Sequence, residues 1–179
     1  MVSSNYKGFV YLLHPTPELW TLVLPHRTQI LYIADISFIT TLLEMKPGVN
    51  VIESGTGSGS FSHSIARTIA PTGRLYSFEY HQDRVNLAQA EFNEHGFGDI
   101  IKMHHRDVCK DGFQMKDQVN AVFLDLPAPW DAIASAKEAF KQDRTGKICC
   151  FSPCIEQVAR SVAALDEQGF IGKFLLVIY

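Results

Sequence analysis

From residue 35 onward, short apolar runs alternate with longer segments in which apolar residues recur at helical spacing. Continuous apolar runs are typical of strands that are buried on both faces, whereas apolar positions three or four residues apart indicate one face of a helix. The pattern predicts strands at 49–52, 75–78, 100–105, 119–124, 147–151 and 174–179. It predicts helices at 35–45, 61–70, 83–95, 130–140 and 155–168.

This alternation predicts an α/β fold with a doubly wound, mostly parallel sheet and right-handed crossovers. In such sheets, ligands bind outside the carboxyl ends of the strands. Residues 1–34 do not share the alternation, because their segments around 11–17 and 20–25 are interrupted by prolines and favour extended structure. We therefore expect 1–34 to be the remnant of an N-terminal β domain with its linker, and 35–179 to form the α/β domain.

The glycine-rich segment between the first strand and the following helix is the strongest motif in the chain. It runs Glu53-Ser54-Gly55-Thr56-Gly57-Ser58-Gly59-Ser60. Glycines let a backbone approach a ligand closely, and the free N–H groups of a helix start point toward it. A dinucleotide fingerprint has a glycine where Ser60 stands. The acidic residue at position 53 favours a cationic ligand such as S-adenosylmethionine over a pyrophosphate, and the alternative is an ordinary Gly-Ser loop.

Acidic residues stand at the ends of the first four predicted strands. They are Glu53, Glu79, Asp107 and Asp125. A solvated loop carboxylate is an ordinary reading for each of them alone. Because the carboxyl ends of parallel strands share one edge of the sheet, the four together indicate a ligand site.

The spacing of these residues suggests how a nucleoside would be held. Glu79 follows the first glycine of the loop by one βα unit, and its carboxylate offers paired acceptors for the two hydroxyls of a ribose. Asp107 is placed to accept from an exocyclic adenine amine, and the backbone of Val108 to read a ring nitrogen. Arg84 could cover the ribose or balance Glu79, and the alternative is a solvated helix arginine.

A second motif, Asp125-Leu126-Pro127-Ala128-Pro129-Trp130, follows the fourth predicted strand. The two prolines predict a rigid, extended turn that aims Asp125 at a substrate beside the ligand. Trp130 is expected to serve core packing rather than stacking. The motif is a spaced relative of the Asp/Asn-Pro-Pro-aromatic motif that amine methyltransferases often carry at this place.

Composition narrows the classes of partner. The 179 residues are enough for one stable domain, with 46% hydrophobic and 20% charged residues. A net charge of -3 predicts no broad basic face, so a nucleic-acid substrate would need a local patch or a basic partner. No signal peptide and no membrane-spanning run is recognisable, and no membrane association is expected.

Cysteine and histidine spacing gives no sign of a metal site. The four cysteines form no CxxC pair, and Cys149 and Cys150, on one predicted strand, should point to opposite faces. We expect reduced, structural thiols. His104 and His105 also lie on a predicted strand, with one facing the core, and we predict no metal.

Five segments carry a resemblance to a known family: residues 12–20, 25–32, 53–60, 123–130 and 151–158. They resemble the catalytic subunit family of the tRNA (adenine-N1)-methyltransferases that modify position 58 of the T-loop, and the similarity covers nearly the whole chain. The resemblance implies S-adenosylmethionine as cofactor and a Rossmann-like methyltransferase fold. The eukaryotic branch is the most similar, which implies a non-catalytic sister subunit in a heterotetramer, tRNA as substrate and a nuclear location.

The resemblance also implies roles for individual residues. Asp125 would be catalytic, lying between cofactor and target base. The cofactor would be bound by Leu31, Gly55, Gly57, Ser58, Gly59, Ser60, Glu79, Arg84, Asp107, Val108 and Asp125. The tRNA would be approached by His26, Arg27, Gln29, Ile30, Ser152 and Pro153.

Two departures from the family pattern shape the expectations. The family has an N-terminal β-barrel-like domain, of which only the last strands could be present, and its fold ends with a seventh, antiparallel strand beyond the six predicted here. We therefore expect 35–179 to be a C-terminally truncated methyltransferase domain. Two alternatives are a catalytically silent scaffold that binds the sister subunit, and a nicotinamide enzyme, which Ser60 and Glu53 disfavour.

Overall fold

Within residues 6–177, which the computed structural model describes, five short strands form one sheet. The strands are β1 Asn50–Ser54, β2 Arg74–Glu79, β3 Ile101–His105, β4 Ala121–Leu124 and β5 Lys147–Cys150. The helices are α1 Pro17–Val23, α2 Ile33–Leu42, α3 Ser60–Ile69, α4 Gln82–Glu94, α5 Val108–Asp111, α6 Ile133–Ala139 and α7 Ile155–Glu167. A 3₁₀ helix, Pro129–Ala132, leads into α6.

The sheet has the strand order β3-β2-β1-β4-β5, and every neighbouring pair is parallel. The central strand β1 pairs with β2 from Asn50 opposite Arg74 onward, and with β4 from Val51 opposite Ala121 onward. The order reverses between β1 and β4, which leaves a crevice at their carboxyl ends. The predicted α/β fold with a doubly wound parallel sheet is confirmed.

Apolar side chains alternate between two layers, one on each face of the sheet. Val51 packs with α2, α3 and α4 in one layer, and Ile52 packs with α5 and α6 in the other. The adjacent thiols Cys149 and Cys150 follow the same alternation, so the prediction that they point to opposite faces is confirmed. Both are free thiols, and burial raises the pKa of Cys149 to about 11 and that of Cys150 to about 12.

The segment before the sheet differs from the prediction. The extended structure expected at 20–25 is wrong, because Pro17–Val23 forms helix α1. Thr16 caps this helix by accepting a hydrogen bond from the Leu19 N–H at 3.3 Å, and Pro17 occupies the first turn, where its missing N–H costs no bond. Threonine followed by proline is thus a helix-start signal here.

The predicted sixth strand at 174–179 is not formed in its described part, residues 174–177, which make no strand pairing. Residues 178 and 179 lie outside the described residues. Apolar character alone does not form a strand, because the backbone groups also need a paired neighbour. In the described structure β5 therefore lies at the edge of the sheet.

Two further elements refine the prediction. The helix expected at 130–140 is divided into the 3₁₀ helix and α6, and Pro129 is the first residue of the 3₁₀ helix. The short helix α5 was missed, although Asp107 caps it by accepting from the Cys109 N–H at 3.2 Å.

No helix within residues 6–177 is long and apolar enough to cross a bilayer.

Candidate functional site

The carboxyl ends of β1, β2 and β4 open into a cavity of about 600 Å³, beside the reversal in strand order. This volume lies in the range of small-molecule sites. Most residues that the sequence predicts for cofactor or RNA contact line it: Gln29, Ile30, Leu31, Gly55, Gly57, Ser58, Ser60, Glu79, Arg84, Asp107, Val108, Asp125 and Pro153. The fold thus brings together segments that are far apart in the sequence.

Four of the predicted contact residues are not part of the cavity wall. Gly59 precedes α3, and its carbonyl oxygen accepts a 2.6 Å hydrogen bond from Nδ1 of the buried His63. His26 is exposed and Ser152 is half-buried. Arg27 is held in an ion pair with a carboxylate of α4.

The glycine loop, residues 55–59, is in close contact with two neighbouring segments. Gly55 has φ +94°, and a Cβ there would lie 2.2 Å from the Asp125 carbonyl oxygen. At Gly57, with φ +55°, a Cβ would lie 2.5 Å from Oγ1 of Thr28. Both positions have a left-handed backbone that favours glycine, and at Gly55 the neighbouring atom is fixed backbone, which leaves no room for a side chain.

Glu53, at the end of β1, is buried with 1% of its surface exposed. Its Oε2 accepts hydrogen bonds from the hydroxyls of Ser62 and Ser77, each at 2.6 Å. Desolvation raises the pKa of Glu53 to about 7, although the hydrogen bonds from these two hydroxyls lower it. The nearby Asp125 and Glu79 raise it further. The sequence indicated a simple charged group at the strand end, whereas the structure shows a buried acid with partners of its own.

Glu79, at the end of β2, is also buried but is held by donors of a different kind. Its Oε2 accepts the Gly57 N–H at 3.0 Å, and its Oε1 accepts the His81 N–H at 3.1 Å. Arg84 adds an ion pair at 3.5 Å from Nη1 to Oε1. These contacts fix the carboxylate against the glycine loop, and each oxygen keeps a lone pair for a further donor.

Asp107 and Val108 form the wall after β3. Asp107 caps α5, and its Oδ2 lies 3.9 Å from the Nζ of Lys110. Val108 is buried, with 3% of its surface exposed, and packs in the layer that contains α5 and α6. A polar acceptor therefore stands next to an apolar surface, which suits a flat aromatic ring that carries an amine.

Asp125, at the end of β4, is anchored by its backbone, since its N–H donates to the Ser54 carbonyl at 2.9 Å. Desolvation raises the pKa of its side chain, and this carboxylate has no hydrogen-bond or ion-pair partner within residues 6–177. The turn that follows is tied to α7, because Gln157 Nε2 donates to the Pro127 carbonyl at 3.1 Å. Asp125 is thus a cavity carboxylate on a fixed backbone.

Several cavity residues were not predicted from the sequence: Tyr80, His81, Arg106, Cys109, Phe151 and Gln157. Tyr80 and His81 directly follow Glu79, so their position at a strand end could have indicated them. Trp130, in contrast, packs against the layer of α5 and α6 and lies under the Arg160 guanidinium at 5.0 Å, as the packing interpretation predicted. In the described part of the chain, no group of three or more His, Cys, Asp or Glu is arranged to hold a metal ion.

Comparison with known proteins places this geometry in a family. The model of the tRNA methyltransferase complex GCD14 subunit family matches residues 8–178. The chain is 51% identical over 172 residues to the tRNA (adenine(58)-N(1))-methyltransferase catalytic subunit TRM61 of Yarrowia lipolytica, covering 94% of this chain and 44% of that protein. It is 53% identical over 175 residues to the subunit of the same description from Schizosaccharomyces pombe, covering 95% and 48%. The chain thus spans less than half the length of these relatives.

Solved structures show the same fold. A SAM-dependent O-methyltransferase from Thermotoga maritima superposes with a TM-score of 0.72 at 34% identity, covering 79% of this chain and 52% of that one. The tRNA (m1A58) methyltransferase TrmI from Aquifex aeolicus gives a TM-score of 0.75 at 23% identity, covering 86% and 60%. The sheet described here is thus a Rossmann-like methyltransferase sheet.

The buried acid Glu53 makes stability depend on pH. The pKa of Glu53 is higher in the folded protein than the ordinary value of 4.5. Its contribution to the free energy of unfolding is therefore complete below pH 4.5 and is lost as the pH rises through about 7. Relative to Glu53→Gln, the protein should lose roughly 3 kcal/mol of unfolding free energy across this window. Urea unfolding at a series of pH values measures the difference.

The matched control is Glu138→Gln, since Glu138 is an exposed acid on α6. The free energy of unfolding of this variant should differ from that of the unsubstituted protein by the same amount at every pH in the window. A flat difference for Glu53→Gln as well would show that Glu53 keeps an ordinary pKa in the folded protein.

Proposed function

The chain belongs to the tRNA methyltransferase complex GCD14 subunit family, and we propose that it methylates N1 of adenine 58 in tRNA with S-adenosylmethionine as methyl donor. The observation that carries the proposal is the set of carboxylates, Glu53, Glu79 and Asp125, around one glycine-loop cavity. An acidic cavity attracts a cationic sulfonium and repels a pyrophosphate. Relatives that carry this activity in their names support the substrate.

The cavity residues fit the adenosine part of this methyl donor. Gly55 and Gly57 line the cavity with backbone alone, so a ligand there can contact the loop backbone directly. The buried Glu79 is oriented by the loop and by Arg84, and its free lone pairs can accept both ribose hydroxyls. The adenine would lie on Val108, with its amine toward Asp107.

Asp125 is the group proposed to act on the target base. S-adenosylmethionine, when bound, supplies a methyl group on a positively charged sulfur. Adenine N1 has an in-plane lone pair, so this chain needs no nucleophilic side chain. Asp125 would accept a hydrogen bond from the N6 amine, drawing electron density toward N1 and stabilising the cation that forms there. Positioning for in-line transfer contributes much of the rest.

The target base must leave the folded tRNA to reach this cavity. Gln29 and Pro153 are exposed residues of the cavity wall and are proposed to approach the RNA. Because the net charge of the chain is -3, we propose that a sister subunit supplies much of the surface that attracts the phosphates. A heterotetramer of two such pairs is the proposed assembly.

The cofactor assignment predicts tighter binding of S-adenosylmethionine than of NAD, measured by titration calorimetry. Glu79→Ala should weaken binding of S-adenosylmethionine by about 1–3 kcal/mol, because buried ribose hydroxyls lose their acceptors. Glu138→Ala, which removes an exposed acid from α6, serves as the control and should bind normally. Tighter binding of NAD by the unsubstituted protein would contradict the assignment.

The catalytic assignment predicts that Asp125→Ala loses about 2.7–4 kcal/mol of transition-state stabilisation, a hundredfold or more in rate. The measurement is single-turnover transfer of labelled methyl to a tRNA transcript by the full-length protein assembled with its sister subunit. Asp131→Ala, an exposed acid of the 3₁₀ helix, is the control and should react at the normal rate.

Near-normal transfer by Asp125→Ala would show that Asp125 is only a turn residue. If the unsubstituted complex bound S-adenosylmethionine but transferred no methyl group, the result would favour the alternative of a catalytically silent scaffold.

A further inference from the structure

A segment without regular structure, residues 25–31, crosses the glycine loop and is called the strap here. The hydroxyl of Ser58 accepts the N–H groups of Arg27 at 2.8 Å and Thr28 at 3.0 Å. The hydroxyl of Ser60 donates to the Leu31 carbonyl at 3.1 Å. Both serines of the motif therefore bind the strap through their side chains.

The strap is also held by a clip, defined as the pair Arg27 and Glu91. Nη1 of Arg27 lies 2.6 Å from Oε1 of Glu91, and Nη2 lies 3.0 Å from Oε2, so the pair is bidentate. The same Nη2 donates to the Ser58 carbonyl at 3.1 Å. One guanidinium thus connects the strap, the glycine loop and helix α4.

The clip is well shielded from solvent. The side chains of Arg27 and Glu91 are only 13% and 21% exposed. A phosphate could reach this guanidinium only by displacing the carboxylate, and removing either partner would leave a largely buried charge alone. These contacts are typical of an internal tie rather than of an RNA-facing arginine.

We propose that Arg27 and Glu91 are positioning residues that hold the strap against the glycine loop and so shape the wall of the cofactor pocket. The inference rests on the proposed function for the identity of the ligand. It replaces the expectation that Arg27 contacts the tRNA.

The clip matters because the strap forms neither helix nor strand, and its backbone is bound to the glycine loop only through the hydroxyls of Ser58 and Ser60. Ile30 and Leu31 form part of the cavity wall and are 8% and 9% exposed, although they belong to neither helix nor strand. Without the clip, the strap would sample other positions, and a ligand would have to order it on binding. The ligand would then bind only the fraction of molecules whose strap is in place, with its apparent affinity lowered by that fraction.

The chain offers a control pair of the same geometry that is more exposed to solvent. Arg67 of α3 and Glu18 of α1 also form a bidentate pair between helices, with the Arg67 Nη1 at 2.7 Å from Glu18 Oε2. Neither residue lines the cofactor cavity. Substitutions there test the loss of an arginine–carboxylate tie without touching the strap.

The first measurement is amide hydrogen exchange of the ligand-free protein. Arg27→Gln and Glu91→Gln should each accelerate exchange of the strap amides that Ser58 protects, by roughly tenfold. Arg67→Gln and Glu18→Gln should leave those amides unchanged. Unchanged strap amides in both clip variants would overturn the proposal whatever ligand the cavity takes.

The second measurement is binding of S-adenosylhomocysteine, together with the KM for tRNA, in the full-length complex. Each clip variant should weaken S-adenosylhomocysteine binding by roughly tenfold, and the double variant should be no weaker than either single one, because the two residues act as a unit. The KM for tRNA at saturating cofactor should stay normal.

The outcomes separate this inference from the proposed function. If the unsubstituted complex fails to bind S-adenosylhomocysteine, the proposed cofactor is wrong. The hydrogen-exchange measurement then still tests whether the clip holds the strap. If it binds and Arg27→Gln raises only the KM for tRNA while Glu91→Gln changes nothing, Arg27 contacts RNA and the clip is overturned.

Discussion

The close packing of the glycine loop against the end of β4 and against the strap is the constraint on which the site depends. On one side, Gly55 lies against the Asp125 carbonyl, and on the other, Gly57 lies against the Thr28 side chain. A side chain at Gly55 would separate the end of β4 from the loop, and one at Gly57 would displace the Thr28 side chain of the strap. The same contacts therefore set where the proposed catalytic carboxylate stands and where the far wall of the cavity lies.

Four carboxylates line this cavity, and three of them, Glu53, Glu79 and Asp125, are held in different ways. Glu53 is buried against two serine hydroxyls, and its pKa is raised to about 7. Glu79 is held by backbone N–H groups and by Arg84. Asp125 has a raised pKa through desolvation and a fixed backbone. A ligand that brings positive charge would relieve the mutual repulsion of such groups, which supports the proposed sulfonium donor.

Local signals in the sequence were sufficient for the five strands of the sheet and for the position of the site. Strand β1, the glycine loop and the start of α3 follow from neighbouring residues, and the acids at the strand ends follow from the topology. The strap could not be predicted in this way, because Arg27 bonds to Ser58 and Glu91, which are 31 and 64 positions away. The prediction of extended chain at α1 is wrong because it gave the prolines more weight than the Thr16 cap. The prediction of a strand at 174–177 is wrong because apolar character does not supply a pairing partner.

A crystal structure of the proposed complex with S-adenosylhomocysteine tests the central claim, that this cavity is the methyl-donor site, most directly. The account predicts both ribose hydroxyls at hydrogen-bond distance, about 2.7–3.2 Å, from the Glu79 carboxylate. It also predicts the adenine against Val108 and the sulfur on the Asp125 side of the glycine loop. A ligand bound outside this cavity, or one whose ribose points away from Glu79, would contradict the account.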